Sequence, residues 1–436
     1  MRDAVLALVD AVHAGGVTDS DAVGRILATN GSWAACGRAA ASCVAGAADG
    51  SAQRAALADA MKATTLAIVA AVRAGGVSDS DAVGRILATG GCWAACGRAG
   101  ARAAAEANGE VKSGSGAQAL DAICLALRET VIAFVSALHI CTIRESSVIG
   151  SILSSASVWS YVDHVFPFYQ ARGVPGGLAL SHILAGIRAA LQSVSAHGAM
   201  STILVAGGFW SLCRYIHSSM DVKTSPKDAV GRYGFVIRAV IQAFQEHVRD
   251  EAAAAILKAA TLWTSVKLAL QRSGVPSKHV AFEGSVRSAV LGMVSGVFAA
   301  FRVHGLQPEQ AASVMAVDKF WPQTRITRGN ESTSDIVGSL VNALAAHGIT
   351  SPSAADVLQQ SRLWTRVGVI VRQHTATESK MDVAAVVIAV IDRAVQAADA
   401  DKSAVTSLRC WRTWEAERWK DWKPPTEKAA HARRPD

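Results

Sequence analysis

Eight cysteines and twelve histidines are the side chains from which a nucleophile or a metal site would be built, and their spacing builds neither. The cysteines stand at 36, 43, 92, 96, 124, 141, 213 and 410, with no Cys-x-x-Cys pair and no Cys/His cluster at ligand spacing. Cys92 and Cys96 are one helical turn apart, yet no histidine or further cysteine joins them, so no metal and no cofactor is expected. His13, His139, His164, His197, His304 and His347 fall near expected helix ends, with no serine or cysteine nucleophile and carboxylate beside them, which reads as structural. The chain also lacks a phosphate-cradling GxxxxGK[ST] loop, a GxGxxG turn, an HExxH helix and a calcium loop. An enzyme is therefore not the expectation, and neither is a small-molecule substrate.

Cations and indoles recur instead. Arg38, Arg98, Arg214, Lys267, Arg325 and Arg366 each follow a tryptophan by two to five residues, a pattern that would lay positive charge along a phosphate backbone or merely complement helix C-termini. Near the C-terminus Leu408–Lys423 (LRCWRTWEAERWKDWK) reads as one helix with Trp411, Trp414, Trp419 and Trp422 on a broad face and Arg412, Arg418 and Lys420 among the rest. Three uses stay open for it: a cap on a stack of helices, an anchor for a partner protein, or an aromatic and basic surface for unpaired bases. A formal net charge of +8 agrees with RNA as a partner but does not demand it.

The elements that must position these groups come from a repeat. Residues 14–40 (AGGVTDSDAVGRILATNGSWAACGRAA) return at 74–100 with four differences, sixty positions later. Weaker copies surround Trp33, Trp93, Trp159, Trp210, Trp263, Trp321 and Trp364. Six residues before each lies Leu or Met, and seven before lies Ile or Val, so positions −10, −7, −6, 0 and +3 share one helical face and the indole is the largest core residue. Position −3 is mostly small, and the glycines there can kink or split this second helix. An apolar-periodic first helix precedes it and closes on glycine, as at Ala74-Gly75-Gly76 and His347-Gly348.

This pattern predicts an all-α fold, a solenoid of about seven to eight two-helix repeats, each with one core Trp. Near-identical repeats 1 and 2 occupy 1–108, a Gly/Ser linker 109–118, repeats 3 to 7 residues 119–380, a degenerate eighth repeat with the Trp-rich segment 381–423, and a flexible basic tail 424–436. The longest stretch without Asp, Glu, Lys or Arg, Ala189–Cys213, holds Gln192, His197 and three glycines, so it reads as buried helix and no membrane span is expected. No presequence is visible, and free thiols point to a reducing compartment.

The segment SDIVGSLVNALAAHGITSPSAADVLQQSRLW (334–364) resembles the helical-hairpin repeats of organellar RNA-binding proteins, the octotricopeptide and FAST-kinase-like groups. The resemblance implies a helical-repeat protein that binds RNA or a ribonucleoprotein such as an organellar ribosome, with a mitochondrial address and a cytoplasmic one as the alternative. The unit here is longer and marked by Trp, so no base-reading position carries over. The residues leave a second reading open, a protein-interaction scaffold that uses a groove or the Trp-rich segment.

Overall fold

The computed structural model describes residues 2–29, 33–34, 50–95, 98, 116–170, 174, 176–192, 199–218, 226–275, 282–323, 333–376, 383–396 and 403–415. The protein is all-helical, with no strand among the described residues. In chain order the helices are α1 (Arg2–Ala14), α2 (Ser20–Leu27), α3 (Gly50–Ala74), α4 (Ser80–Leu87), α5 (Gly116–Ile140), α6 (Ser146–Leu153), α7 (Ala156–Gln170), α8 (Gly176–Gln192), α9 (Met200–Val205) and α10 (Gly207–Ser218). Then follow α11 (Pro226–Gln245), α12 (Asp250–Leu257), α13 (Ala260–Arg272), α14 (Phe282–Val303), α15 (Pro308–Met315) and α16 (Phe320–Gln323). The last are α17 (Thr333–Ala346), α18 (Ser353–Leu358), α19 (Ser361–Ala376), α20 (Val383–Gln396) and α21 (Ala404–Arg409), with a 3-10 turn at Trp411–Trp414. The chain forms two compact units, residues 1–192 with 200–234 and residues 193–199 with 235–436.

Within each unit, helices of one kind pack against the next of that kind. In the first unit α1 packs on α3, α3 on α5 and α5 on α8; α2 packs on α4, α4 on α6 and α6 on α9; α7 packs on α10. In the second unit α14 packs on α17 and α17 on α20, α12 on α15, α15 on α18 and α18 on α21, and α13 on α16 and α16 on α19. Three layers therefore run through each unit. The sequence predicted two helices per copy, and the third is a correction: the long second helix is two, joined through positions −5 and −4 before the tryptophan. Between α12 and α13 the bend is 86°. The break does not need the glycine at −3, because Ser154-Ser155 and Lys258-Ala259 make it as well.

The turn from a first helix to a second is set by one left-handed residue. Gly16, Gly76, Gly305 and Gly348 have φ of 83°, 85°, 78° and 74°, which costs a residue without Cβ little. The next residue donates back across the helix end, as Val17 N–H to Val12 C=O and Ile349 N–H to Leu344 C=O, and then buries its side chain. Asp19 and Asp79 cap α2 and α4 by accepting from Ala22 and Ala82 N–H at 2.8 and 3.1 Å.

Two further expectations are corrected. Leu408–Lys423 is not one helix: α21 stops at Arg409, Cys410 is extended (φ −74°, ψ 126°), and a 3-10 turn follows. Ala189–Cys213 is interrupted at Ala206, between α9 and α10. Among the described residues, two helices are long and apolar enough to cross a membrane by length and composition alone, Leu120–Ile140 and Phe282–Val303, and the bent pair α12–α13 passes the same test only if taken as one span.

Candidate functional site: tryptophan turns and the third-helix cations

Each tryptophan of the pattern does more than fill space. Its indole N–H donates to the carbonyl six residues earlier, at the last or next-to-last residue of the second helix. The pairs are Trp33–Leu27 at 2.7 Å, Trp93–Leu87 at 2.6 Å, Trp159–Leu153 at 2.5 Å and Trp210–Leu204 at 2.5 Å. Trp263–Leu257 at 3.1 Å, Trp321–Met315 at 2.8 Å, Trp364–Leu358 at 2.6 Å and Trp414–Leu408 at 2.8 Å complete the set among the described residues. A helix end leaves carbonyls without intrahelical partners, and burial makes that costly, so the indole satisfies the orphan and fixes the bend in one contact. Trp93, Trp159, Trp210, Trp263, Trp321 and Trp364 are buried, and Trp33 is half-buried. Trp414, proposed from sequence as a partner anchor, is also buried and belongs with these turns. Trp411 lies on the same 3-10 turn, while Trp419 and Trp422 fall outside the described residues.

Among the described residues, Arg214, Lys267 and Arg366 of the cations proposed to follow the indoles sit on third helices. Arg98 pairs with Asp163 of α7 at 2.5 Å, and Arg214 of α10 donates to the Ser160 hydroxyl of α7 at 2.6 Å. Along this edge of the first unit the order is thus Arg98, Asp163, Arg214, with a carboxylate inside the expected positive row. In the second unit Lys267 on α13 and Arg366 on α19 are half-buried, and Arg412 on the 3-10 turn is exposed. Burial lowers the pKa of the Arg366 guanidinium from its usual range. Arg38, Arg325, Arg418 and Lys420 lie outside the described residues.

A different set of polar contacts joins successive first helices and had no sequence signal beyond position. Arg73 of α3 donates to the Gly15 carbonyl past the end of α1 from Nε at 3.0 Å and Nη2 at 2.5 Å, and Arg188 of α8 donates to the Ile140 carbonyl at 2.7 Å. In the second unit His247 meets the Ser295 hydroxyl at 3.1 Å and His347 meets Asp392 at 2.8 Å. Of the helix-end histidines named from sequence, His347 thus ties two neighbouring helices, while His197 lies outside the described residues.

No protein-family model matches this chain. No curated protein matches it either. The reading of function therefore rests on the groups themselves. Among the described residues no three His, Cys, Asp or Glu side chains stand close enough to hold a metal ion. Burial pushes the Cys141 thiol up to about 11 and the Cys213 thiol well above the ordinary range, which leaves both protonated at neutral pH and poor nucleophiles. Sequence reasoning missed one cluster in the first unit: Tyr161, Tyr169, Tyr233 and His217, all buried, with the Tyr161 and Tyr233 rings edge to face at 6.3 Å and His217 against Phe168 at 4.4 Å. Burial holds the Tyr161 and Tyr233 hydroxyls far above the usual tyrosine range, so both stay protonated at neutral pH.

Proposed function

We propose that this chain is a non-enzymatic α-solenoid of seven to eight helical repeats that binds RNA or a ribonucleoprotein along its third helices. The observation that carries the reading is the recurrence of a cation just after the indole: Arg98, Arg214, Lys267, Arg366 and Arg412 stand on third helices or their equivalents, and the net charge of +8 supplies long-range attraction. A mitochondrial or other organellar location follows from the same resemblance that suggests RNA. The packing of α5 and α14 against neighbouring first helices supports reading both as core elements of the repeat rather than as membrane spans.

The protein-scaffold reading has one specific observation in its favour. On α14 Gly284, Ser288 and Gly292 form an exposed uncharged stripe, one helical turn apart, flanked by exposed Glu283 and Arg287. Salt separates the two. Retention of mixed single-stranded RNA on a filter should fall steeply between about 50 and about 200 mM salt if phosphates are the contact. Arg214→Glu with Lys267→Glu should weaken binding at every sequence tested. Absence of retention at the lowest salt would remove RNA from the proposal.

A further inference from the structure

One face of the first helix pair is a duplicate of a face already seen engaged. Leu6, Val9, Gly24, Leu27 and Ala28 recur sixty residues later as Leu66, Val69, Gly84, Leu87 and Ala88, identical at all five positions. In the second set Val69, Gly84 and Ala88 meet the first helix pair, Leu87 is buried beside them and Leu66 is half-buried. Val69 lies against Gly15, where an added Cβ would stand 2.7 Å from it; a Cβ on Gly84 would stand 3.3 Å from that of Ala22; and the Ala88 carbonyl accepts from the Thr29 hydroxyl at 3.1 Å. Val69 and Leu87 are 3% and 0% exposed there.

In the first set the same groups are uncovered. Leu6 is 49% exposed, Gly24 and Ala28 are exposed, and Val9 and Leu27 are half-buried. Gly24 has nothing within 4 Å of where a Cβ would stand, whereas Gly84 is buried. The surface that fits this face is therefore the following side of a helix pair of the same design, with a small residue opposite the glycine.

Such a residue is exposed elsewhere in the chain. Ala22 stands eleven residues before Trp33, and Ser403, small and exposed, stands eleven before Trp414, whose indole makes the same bond to Leu408 as the others. We infer that the α1–α2 face docks a second copy of this chain, head to tail, with Gly24 of one copy against Ser403 of the next. A head-to-tail contact joins two different patches, so it continues beyond two copies unless the rotation closes a ring.

The test uses the full chain and two substitutions that leave each fold intact. Gly24→Glu puts a charge on the exposed face of α2, and Ser403→Asp keeps a capping side chain at the start of α21 while placing a charge in the contact. In sedimentation velocity from about 1 to about 100 µM, the natural chain should show a coefficient that rises with concentration past that of a dimer. Each variant alone should stay at the monomer value, with unchanged circular dichroism. An equal mixture of the two should form a dimer that grows no further, since one variant keeps a good head and the other a good tail. A natural chain that stays monomeric throughout overturns the proposal, as does a Gly24→Glu variant that still associates alone or a mixture that stays monomeric.

Discussion

At the scale of single residues, the choice of tryptophan over any other large apolar side chain follows from a hydrogen bond. Burying an indole removes roughly 200 Å² from water, a gross gain of about 5 kcal/mol, and phenylalanine would recover most of it. What phenylalanine lacks is a donor for the Leu257 carbonyl, which Trp263 reaches at 3.1 Å. Trp263→Phe should therefore cost about 1–3 kcal/mol in urea denaturation, the range for a buried acceptor left unmet. Trp263→Ala should cost about 3–5 kcal/mol, because the cavity adds to the loss. A Trp263→Phe cost near zero would mean that the N–H contributes nothing.

Thr142 makes the complementary case. It occupies the turn position that glycine holds in other copies, at φ 65°, where a β-branched side chain is strained, and its hydroxyl bonds only to the adjacent Cys141 carbonyl at 2.6 Å. Thr142→Gly should raise stability by about 0.5–1 kcal/mol after the entropy of the unfolded glycine is counted. A lower urea midpoint for the variant would show that the backbone there is not under strain.

At the scale of elements, the spacing of apolar residues made the helical class and the buried face legible but concealed the break. Positions −10, −7, −6, 0 and +3 stay in phase for a continuous helix, and the bend at −5 and −4 leaves that phase undisturbed, so periodicity alone cannot report it. The N–H bond that demands the break is equally silent, since it needs the indole and the carbonyl placed in space. That is also why Leu408–Lys423 misled: four tryptophans invite a single helix, whereas the Trp414 bond to the Leu408 carbonyl goes with a helix that stops at Arg409. The third-helix cations were legible as a recurrence, but Asp163, four residues after Trp159, entered the row only once packing set it beside Arg98.

The second helices approach closely through glycine, and the approach differs along the chain in a way that substitution can read. A Cβ on Gly150 would stand 2.5 Å from that of Ala82, so α6 would have to move off α4. Gly24 in α2 has open space. Gly150→Ala should destabilise by about 1–3 kcal/mol through overpacking, while Gly24→Ala should stabilise by up to about 1 kcal/mol through helix propensity. If both substitutions moved the urea midpoint the same way, the contact between α4 and α6 would not be as close as described.

At the scale of the whole molecule, buried and half-buried titratable groups in both units set a pH window. His164, His247 and His304 all have lowered pKa values because burial disfavours the imidazolium, aided at His164 by Arg214 and at His247 by Arg302. The unfolded chain then binds more protons below the ordinary histidine value of about 6.5, so stability falls as the solution is acidified through that point. The cysteines act in the opposite sense. Cys141, raised to about 11, and Cys213, raised further, stay protonated in the folded chain. Unfolded thiols ionise from about 8.5 upward, and stability is lost as pH rises past that value. The urea midpoint should therefore form a plateau between about pH 6.5 and about pH 8.5 and decline on both sides. Cys213→Val keeps the buried volume and removes the thiol, so it should flatten the alkaline decline without touching the acid one. An alkaline limb unchanged in that variant would assign the loss to other groups, such as the buried Tyr161 and Tyr233, whose ionisation is also opposed by burial.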